Sequence, residues 1–122
     1  MAKRLPEQPA YSRLLKRGDF LAAAKGKRAS TGLFTLQCIG TAPDAGPRLG
    51  LTVSKKAGGA VERNRIRRRL RQAVRQIAPV AARPGHDYVI VARQELLGAK
   101  FDQLLADLKS AFARVHQPAK TK

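Results

Sequence analysis

The sequence is short of acidic residues, cysteine and aromatic residues. It contains 8 Asp and Glu against 25 Lys and Arg, which gives a formal net charge of +17. This excess indicates a polyanionic partner, with nucleic acid as the first candidate and an anionic membrane as the second. The single cysteine, Cys38, excludes an internal disulfide and suits a reducing compartment. No apolar run approaches the roughly 18 residues that span a bilayer, and no signal-peptide core is visible, so we expect a cytoplasmic protein.

The residue types that carry out catalysis form no recognisable active site. The eight carboxylates show no metal-ligand spacing, and no constellation of serine, cysteine and histidine is visible. His86 lies in a predicted loop and His116 at a predicted helix end, where surface positions are the default. The sequence therefore predicts neither a catalytic residue nor a bound metal in the protein, and any reaction would need a catalyst from elsewhere.

What the chain has in abundance is arginine, concentrated in residues 61–77. Seven of the thirteen residues from Arg63 to Arg75 are arginine, and Glu62 is the only acid between Asp44 and Asp87. The helical period places one set of apolar residues on a single side: Ile66, Leu70, Ala73, Val74 and Ile77. The opposite side carries Asn64, Arg67, Arg68, Arg71 and Arg75. A solvated basic face is the plain alternative, but cations without internal counter-ions repel one another and favour an external polyanion.

The remaining pattern predicts a small α/β domain of the α+β sandwich-like kind. We expect helices over 18–25 and 100–116, strands over 33–39, 48–54 and 87–92, and one helical turn over 94–98. Residues 27–30 are predicted to form a basic connector that could include a short fourth strand. This αβββαβα-type order predicts a mixed sheet of three to four strands, covered by the C-terminal helix. The strands over 33–39 and 48–54 are close enough to form an antiparallel hairpin, and the strand over 87–92, apolar on both sides, should be central.

Two boundaries of the arginine helix and the two chain ends can also be predicted. Gly59 is an acceptable N-cap, and Pro79 should end the helix. Arg65 and Arg69 lie towards the edge of the apolar side, so one of them is expected to bind a strand-end carbonyl. Residues 1–10 are predicted to form a basic flexible arm, residues 11–117 a single RNA-binding domain and residues 118–122 a flexible tail.

Four motifs in the same order and spacing resemble the bacterial ribonuclease P protein family. Arg63-Asn64-Arg65 opens a stretch that resembles the RNR signature of that family. LTVSKK (51–56) precedes it, RLLKRGDF (13–20) opens the domain and DYVIVAR (87–93) follows, so that the likeness covers residues 13–115. The resemblance implies a subunit that pairs with a large catalytic RNA and promotes removal of the 5′ leader from precursor tRNA. It also implies that the RNA and its Mg²⁺ ions do the chemistry, and that the βαβ crossover is left-handed, against the general rule.

The same resemblance implies two groups of site residues. The catalytic RNA would contact Lys55, Lys56, Arg63, Asn64, Arg65, Arg67, Arg68 and Arg71. The precursor tRNA leader would lie between the first helix and the sheet, against Phe20, Thr35, Gln37 and Thr52. The strand pattern agrees, because it leaves the last three residues off the uniformly apolar faces. Ala24 and Gln37 stand where many relatives carry aromatic residues, which predicts leader binding that depends less on base stacking.

Each of these roles has a simpler alternative. Asn64 could bond only to the local backbone, Phe20 could belong to the core, and Thr35 and Thr52 could be no more than strand-forming residues. For the whole chain, the alternative is a general RNA-binding or ribosome-assembly protein, which charge alone would explain. In both cases the partner is RNA, with neither DNA nor a membrane expected.

Overall fold

The computed structural model describes residues 11–117. The predictions made for residues 1–10 and 118–122 lie outside the described residues. Two short 3₁₀ turns accompany the helices and strands, one at Lys55–Ala57 and one at Gln94–Gly98. The regular elements, in chain order, are β1 Ser12–Arg13, α1 Arg17–Ala24, β2 Lys27–Ser30, β3 Phe34–Gly40, β4 Arg48–Thr52, α2 Ala60–Ala81, β5 His86–Ala92 and α3 Phe101–Val115.

The strands form one mixed sheet in the order β1-β4-β5-β3-β2. β5 is central, as predicted, and runs antiparallel to β3 and parallel to β4. The sheet has five strands rather than three to four, because the two-residue strand β1 pairs with β4. The predicted hairpin between 33–39 and 48–54 is wrong, since β5 lies between these strands. β5 carries apolar residues on both faces, so it gains most from a position with a neighbour on either side.

The main core lies between one face of the sheet and the two long helices. Every residue of the predicted apolar side of α2 is buried: Ile66, Leu70, Ala73, Val74 and Ile77. α3 contributes Leu104, Leu108, Phe112 and Val115, which confirms it as the helix that covers the sheet. The α+β architecture expected from the sequence is therefore present, and burial of these side chains fixes the rotation of α2 about its own axis.

The arginine helix begins where predicted but ends later. Gly59 is its N-cap, and the Glu62 carboxylate accepts a hydrogen bond from the Gly59 N–H at 3.0 Å. The prediction that the helix stops before Pro79 is wrong, because α2 continues to Ala81. Pro79 cannot donate a backbone hydrogen bond to the Arg75 carbonyl, so the last turn lacks one bond. Burial of Ile77 and Ala78 against the core holds this last turn in place.

The other face of the sheet is covered in part by α1. A second, smaller cluster joins Leu14 and Ala23 to Val89 of β5 there. None of the helices within residues 11–117 combines the length and apolar character needed to cross a membrane. The β4–α2–β5 segment joins two parallel neighbours, so the predicted βαβ unit is present, and its left-handed crossover stays a prediction.

Candidate nucleic-acid interface

The residues predicted to contact RNA on α2 form what we call the arginine face: Arg63, Asn64, Arg65, Arg67, Arg68 and Arg71. Arg65, Arg68 and Arg71 are exposed, and Arg63 and Arg67 are half-buried. Asn64 is exposed, and its Oδ1 accepts a weak hydrogen bond from Arg67 Nη1 at 3.4 Å. Asn64 thus contacts a neighbouring side chain of the face rather than capping the backbone. The arginine face is a row of cations on a helix whose other side is locked into the core.

Among the described residues, the arginine face has no carboxylate counter-ion. Within residues 11–117, the carboxylates that lie within 4.0 Å of a basic group are those of Asp19 and Asp87, and both contact Arg48. Glu62, in the first turn of α2, is occupied by the Gly59 N–H. Because the guanidinium groups are planar donors with free hydrogens, they can each bind a phosphate through two parallel hydrogen bonds.

Arg69 is an exception among the arginines of α2, because it is structural. Its Nη1 donates to the carbonyl oxygens of Leu96 at 2.8 Å and Leu97 at 3.0 Å, and its Nη2 donates to that of Ala99. The expectation that Arg65 or Arg69 would bind backbone carbonyls is thus resolved in favour of Arg69. The carbonyls belong to the 3₁₀ turn Gln94–Gly98 and its flank rather than to a strand end. This guanidinium fastens α2 to the segment that leads into α3.

Lys55 and Lys56 are exposed on the 3₁₀ turn between β4 and α2. Gly58 follows with a φ of 139°, a conformation that disfavours residues with a side chain. A Cβ at this position would also lie 2.8 Å from Cβ of Glu62. The glycine therefore allows the chain to turn sharply from β4 into α2. The two lysines thereby extend the positive surface from the helix towards the sheet.

Thr35, Gln37 and Thr52 share the face of the sheet that carries α1. Across the strands, Thr35 and Thr52 are both paired with Val91 of β5. The next row joins Gln37 through Val89 to Gly50. Thr35, Val91 and Thr52 are half-buried, whereas Gln37 is only 8% exposed. The accessible part of this surface, which we call the threonine strip, therefore consists of Thr35, Val91 and Thr52, and Gln37 contributes little area.

Phe20 of α1 borders the same face and is half-buried. A Cβ added at Gly50 would come within 2.6 Å of the Phe20 ring. The absence of a side chain at Gly50 therefore creates the space in which the ring sits. Phe20 is consequently part of the small α1 cluster and still presents part of its surface beside the threonine strip. Both interpretations made from the sequence, core residue and ligand contact, fit this position.

Two residues of this surface were not singled out from the sequence. Val91 lies between the two threonines, and the alternation of β5 already assigns it to the face opposite Ile90. Ser30 of β2 is paired with Thr35, and their hydroxyl oxygens are 3.0 Å apart. No sequence signal marks Ser30, because its position depends on the register between β2 and β3. Within the described residues 11–117, no group of three or more His, Cys, Asp or Glu side chains is placed to hold a metal ion.

Comparison with known proteins decides the family. The model of the family described as Ribonuclease P matches residues 9–116. The chain belongs to the ribonuclease P protein family. This confirms the resemblance inferred from the four motifs, and the match covers the whole region in which they lie.

Individual relatives agree with the family model. The chain is 47% identical over 107 residues to the ribonuclease P protein component of Caulobacter vibrioides, covering 87% of this chain and 72% of that protein. It is 45% identical over 110 residues to the ribonuclease P protein component of Ruegeria pomeroyi, covering 86% of each. Both matches contain the arginine helix and most of the sheet.

Solved structures of the family share the fold. The RNase P protein of Staphylococcus aureus superimposes with a TM-score of 0.72 at 27% identity, covering 85% of this chain and 94% of that one. The RNase P protein of Thermotoga maritima gives a TM-score of 0.72 at 27% identity, covering 87% and 99%. The mixed sheet and its helices are therefore the ribonuclease P protein fold, whereas the individual roles of the arginine face and the threonine strip stay predictions.

Proposed function

We propose that the chain is the protein subunit of a ribonuclease P ribonucleoprotein. In this proposal it binds the catalytic RNA and the 5′ leader of precursor tRNA, and it promotes the endonucleolytic cut that creates the mature 5′ end of tRNA. The RNA subunit and its Mg²⁺ ions supply the phosphodiester chemistry, and the protein supplies binding and orientation. It acts in the cytoplasm, with no membrane or DNA partner. Membership of the family supports the assignment at its coarsest level.

The observation that carries the proposal is the arginine face, which has no carboxylate partner among residues 11–117. α2 has 22 residues, so it is about 33 Å long and can lie along several phosphates of a folded RNA. Its rotation is fixed by the buried residues on its other side, so the cations are held in place before the RNA arrives. Arg63 adds a specific detail, because its Nε is buried and has no hydrogen-bond partner among the described residues. A phosphate oxygen would satisfy this donor once the side chain turns Nε towards the RNA.

The threonine strip supports the leader-binding part of the proposal. A single-stranded leader offers phosphates, sugar hydroxyls and unstacked bases. The hydroxyl groups of Thr35 and Thr52 can donate to and accept from these groups. The Phe20 ring supplies one partly exposed aromatic surface at the border of the strip, and Lys55 and Lys56 begin three residues after Thr52. In this arrangement the leader would pass from the strip towards the arginine face along a positively charged path.

A cleavage assay at low Mg²⁺ tests the proposal directly. Precursor tRNA is incubated with the protein alone, with a bacterial ribonuclease P RNA alone, and with both. We expect efficient cleavage at the mature 5′ end only in the mixture. Cleavage by the protein alone, after exclusion of contaminating nuclease, would show that the protein carries an active site. No stimulation in the mixture, with RNA binding intact, would favour the general RNA-binding alternative.

A pair of variants ties the result to the arginine face. Arg68→Ala should lower the affinity for the catalytic RNA and reduce the slope of log affinity against log salt by about one, because one phosphate contact is lost. Lys109→Ala, which removes an exposed cation from α3, is the matched control. Equal losses in both variants would mean that only net charge matters. Preference for precursor over mature tRNA in the presence of the catalytic RNA separates leader binding from general RNA affinity.

A further inference from the structure

A pocket lies at one end of the strands, opposite to the end at which α2 begins. Its walls come from the beginning of β2, the end of β3, the segment between α2 and β5, the start of β5 and the end of α3. α2, by contrast, begins after the end of β4, and the last residue of β4 pairs with Val91 near the end of β5. The start of α2 and the pocket therefore lie at opposite ends of β5. The pocket has a volume of about 350 Å³, within the range of small-ligand sites. It is therefore separate from the arginine face and the threonine strip.

The pocket is lined by positive and potentially positive groups. Lys27, Arg83, His86 and His116 contribute to its walls, and none of the acidic residues within 11–117 does. The nearest acid along β5 is Asp87, which makes two hydrogen bonds to Arg48 at 2.9 and 2.7 Å. Burial, together with the charges of Arg83, His86 and Lys27, lowers the pKa of His116 to about 4. Several cations therefore act on one imidazole without a compensating carboxylate.

A hydrogen-bond network orients one wall of the pocket. The Tyr88 hydroxyl accepts from the Arg83 backbone N–H at 2.8 Å and lies 2.6 Å from Nε2 of His116. Tyr88 is fully buried, so its own proton needs an acceptor, and His116 Nε2 is the group in reach. His116 is then a neutral imidazole with its hydrogen on Nδ1, and this second nitrogen is a donor. The T-shaped contact between His86 and His116, with ring centroids 4.8 Å apart, fixes both rings.

Lys27 and Arg83 complete the set of donors. The Lys27 ammonium donates to the Gln117 carbonyl at 3.2 Å, which leaves it two further hydrogens. Both side chains belong to exposed residues, so an incoming group can reach them from solvent. His86 already donates from Nδ1 to the Pro84 carbonyl at 2.9 Å, so the donors left for a ligand are the Lys27 ammonium, the Arg83 guanidinium and His116 Nδ1. These three donors match a tetrahedral phosphate dianion or diester better than a carboxylate, since each oxygen of a phosphate can accept from a different donor.

We propose that this pocket binds a phosphate group through Lys27, Arg83 and His116, with His86 as a neighbouring wall, as a second anion site distinct from the arginine face. The phosphate could belong to an RNA backbone or be a free phosphate ion, and the chemistry of recognition is the same in both cases. The site would place a second anchor at the opposite end of the domain.

Titration with inorganic phosphate tests the site without any RNA, so its failure would leave the proposed function untouched. The full chain is followed by NMR at constant ionic strength, with chloride replaced stepwise by phosphate. We expect saturable shifts of the His86 and His116 ring signals. Arg83→Gln should weaken phosphate binding about tenfold, because one charge-assisted contact is lost. Lys109→Gln, an exposed variant with the same loss of charge, should bind as the unchanged chain does.

A second arm identifies the source of the phosphate. If the site holds an RNA phosphate, Arg83→Gln should lower the salt slope of binding to ribonuclease P RNA by about one relative to Lys109→Gln. Equal slopes, together with saturable phosphate shifts, would assign the site to a free phosphate ion. Shifts that grow linearly with phosphate, or that are the same in Arg83→Gln and Lys109→Gln, would overturn the proposal.

Discussion

The neighbouring residues Arg68 and Arg69 should respond in opposite ways to the same substitution. Arg69→Ala removes a guanidinium that donates to three carbonyls, whereas Arg68→Ala removes an exposed side chain with no recorded intramolecular bond among the described residues. Both changes remove one positive charge from the same helix, so their effects on self-repulsion cancel in the comparison. The difference between them isolates the contacts of Arg69.

The magnitude follows from the three carbonyls. Hydrogen bonds that involve a charged group contribute about 1.5–3 kcal/mol each. Leu96 O keeps a second donor, the Ala99 N–H at 3.3 Å, and water can reach the half-buried residues Leu97 and Ala99. We therefore expect Arg69→Ala to lower the free energy of unfolding by about 2–3 kcal/mol, well below the sum of three bonds. Arg68→Ala should change it by less than about 0.5 kcal/mol.

Urea denaturation followed by circular dichroism measures the difference. For a slope of about 1–3 kcal/mol/M, Arg69→Ala should lower the midpoint by roughly 0.7–3 M, and Arg68→Ala should leave it nearly unchanged. Arg69→Lys should recover little, because an ammonium lacks the planar fork that reaches three carbonyls at once. Equal midpoints for Arg68→Ala and Arg69→Ala would refute the conclusion that Arg69 has a structural role which Arg68 lacks.

Three further predictions test the core, the leader surface and the histidine pair. Leu70→Ala should lower the free energy of unfolding by about 2–5 kcal/mol, because it leaves a cavity in the core, whereas Arg67→Ala should leave this free energy nearly unchanged. Equal melting temperatures of the two variants would contradict the orientation of α2. Gly50→Ala should displace the Phe20 ring, lower the free energy of unfolding by about 1–3 kcal/mol and weaken the preference for precursor over mature tRNA. An unchanged free energy of unfolding would show that the ring moves freely. The ring signals of His116 should titrate near pH 4, since burial lowers its pKa from 6.5. Because the unfolded chain binds this proton more readily, stability should fall as the pH drops from 6.5 towards 4, and His116→Gln should flatten that dependence in urea midpoints.

The side-chain patterns predicted which face of a helix or strand is buried better than they predicted which strands lie next to each other. The period of α2 identified its buried residues, and the two apolar sides of 87–92 identified the central strand, because both signals are local. The pairing of β4 with β5 instead of β3 is a tertiary choice between similar apolar strands, and the sequence around Leu49 and Leu51 contains nothing that decides it. β1, with two residues, is too short for any period to register.

The candidate site was predictable to a similar extent. Alternation placed Thr35, Gln37 and Thr52 on one face, but it could not show that Gln37 would be covered while the threonines stay accessible. Arg65 and Arg69 were equivalent at the edge of the apolar side until the fold brought Leu96, 27 residues later, beside Arg69. The pocket of Lys27, Arg83, His86 and His116 had no sequence signal, since its walls come from four separate elements.

The order of the strands also has a consequence for how the chain is made. β2 with β3 and β1 with β4 form two pairs that are joined in the sheet only through β5. During synthesis, α2 leaves the ribosome before β5 does, so the arginine helix emerges while the sheet on which it packs is still in two unconnected parts. The pairing of residues 86–92 with β3 and β4 is therefore the step that completes the sheet. A nascent chain arrested before these residues would present the cations of α2 on an incompletely folded domain.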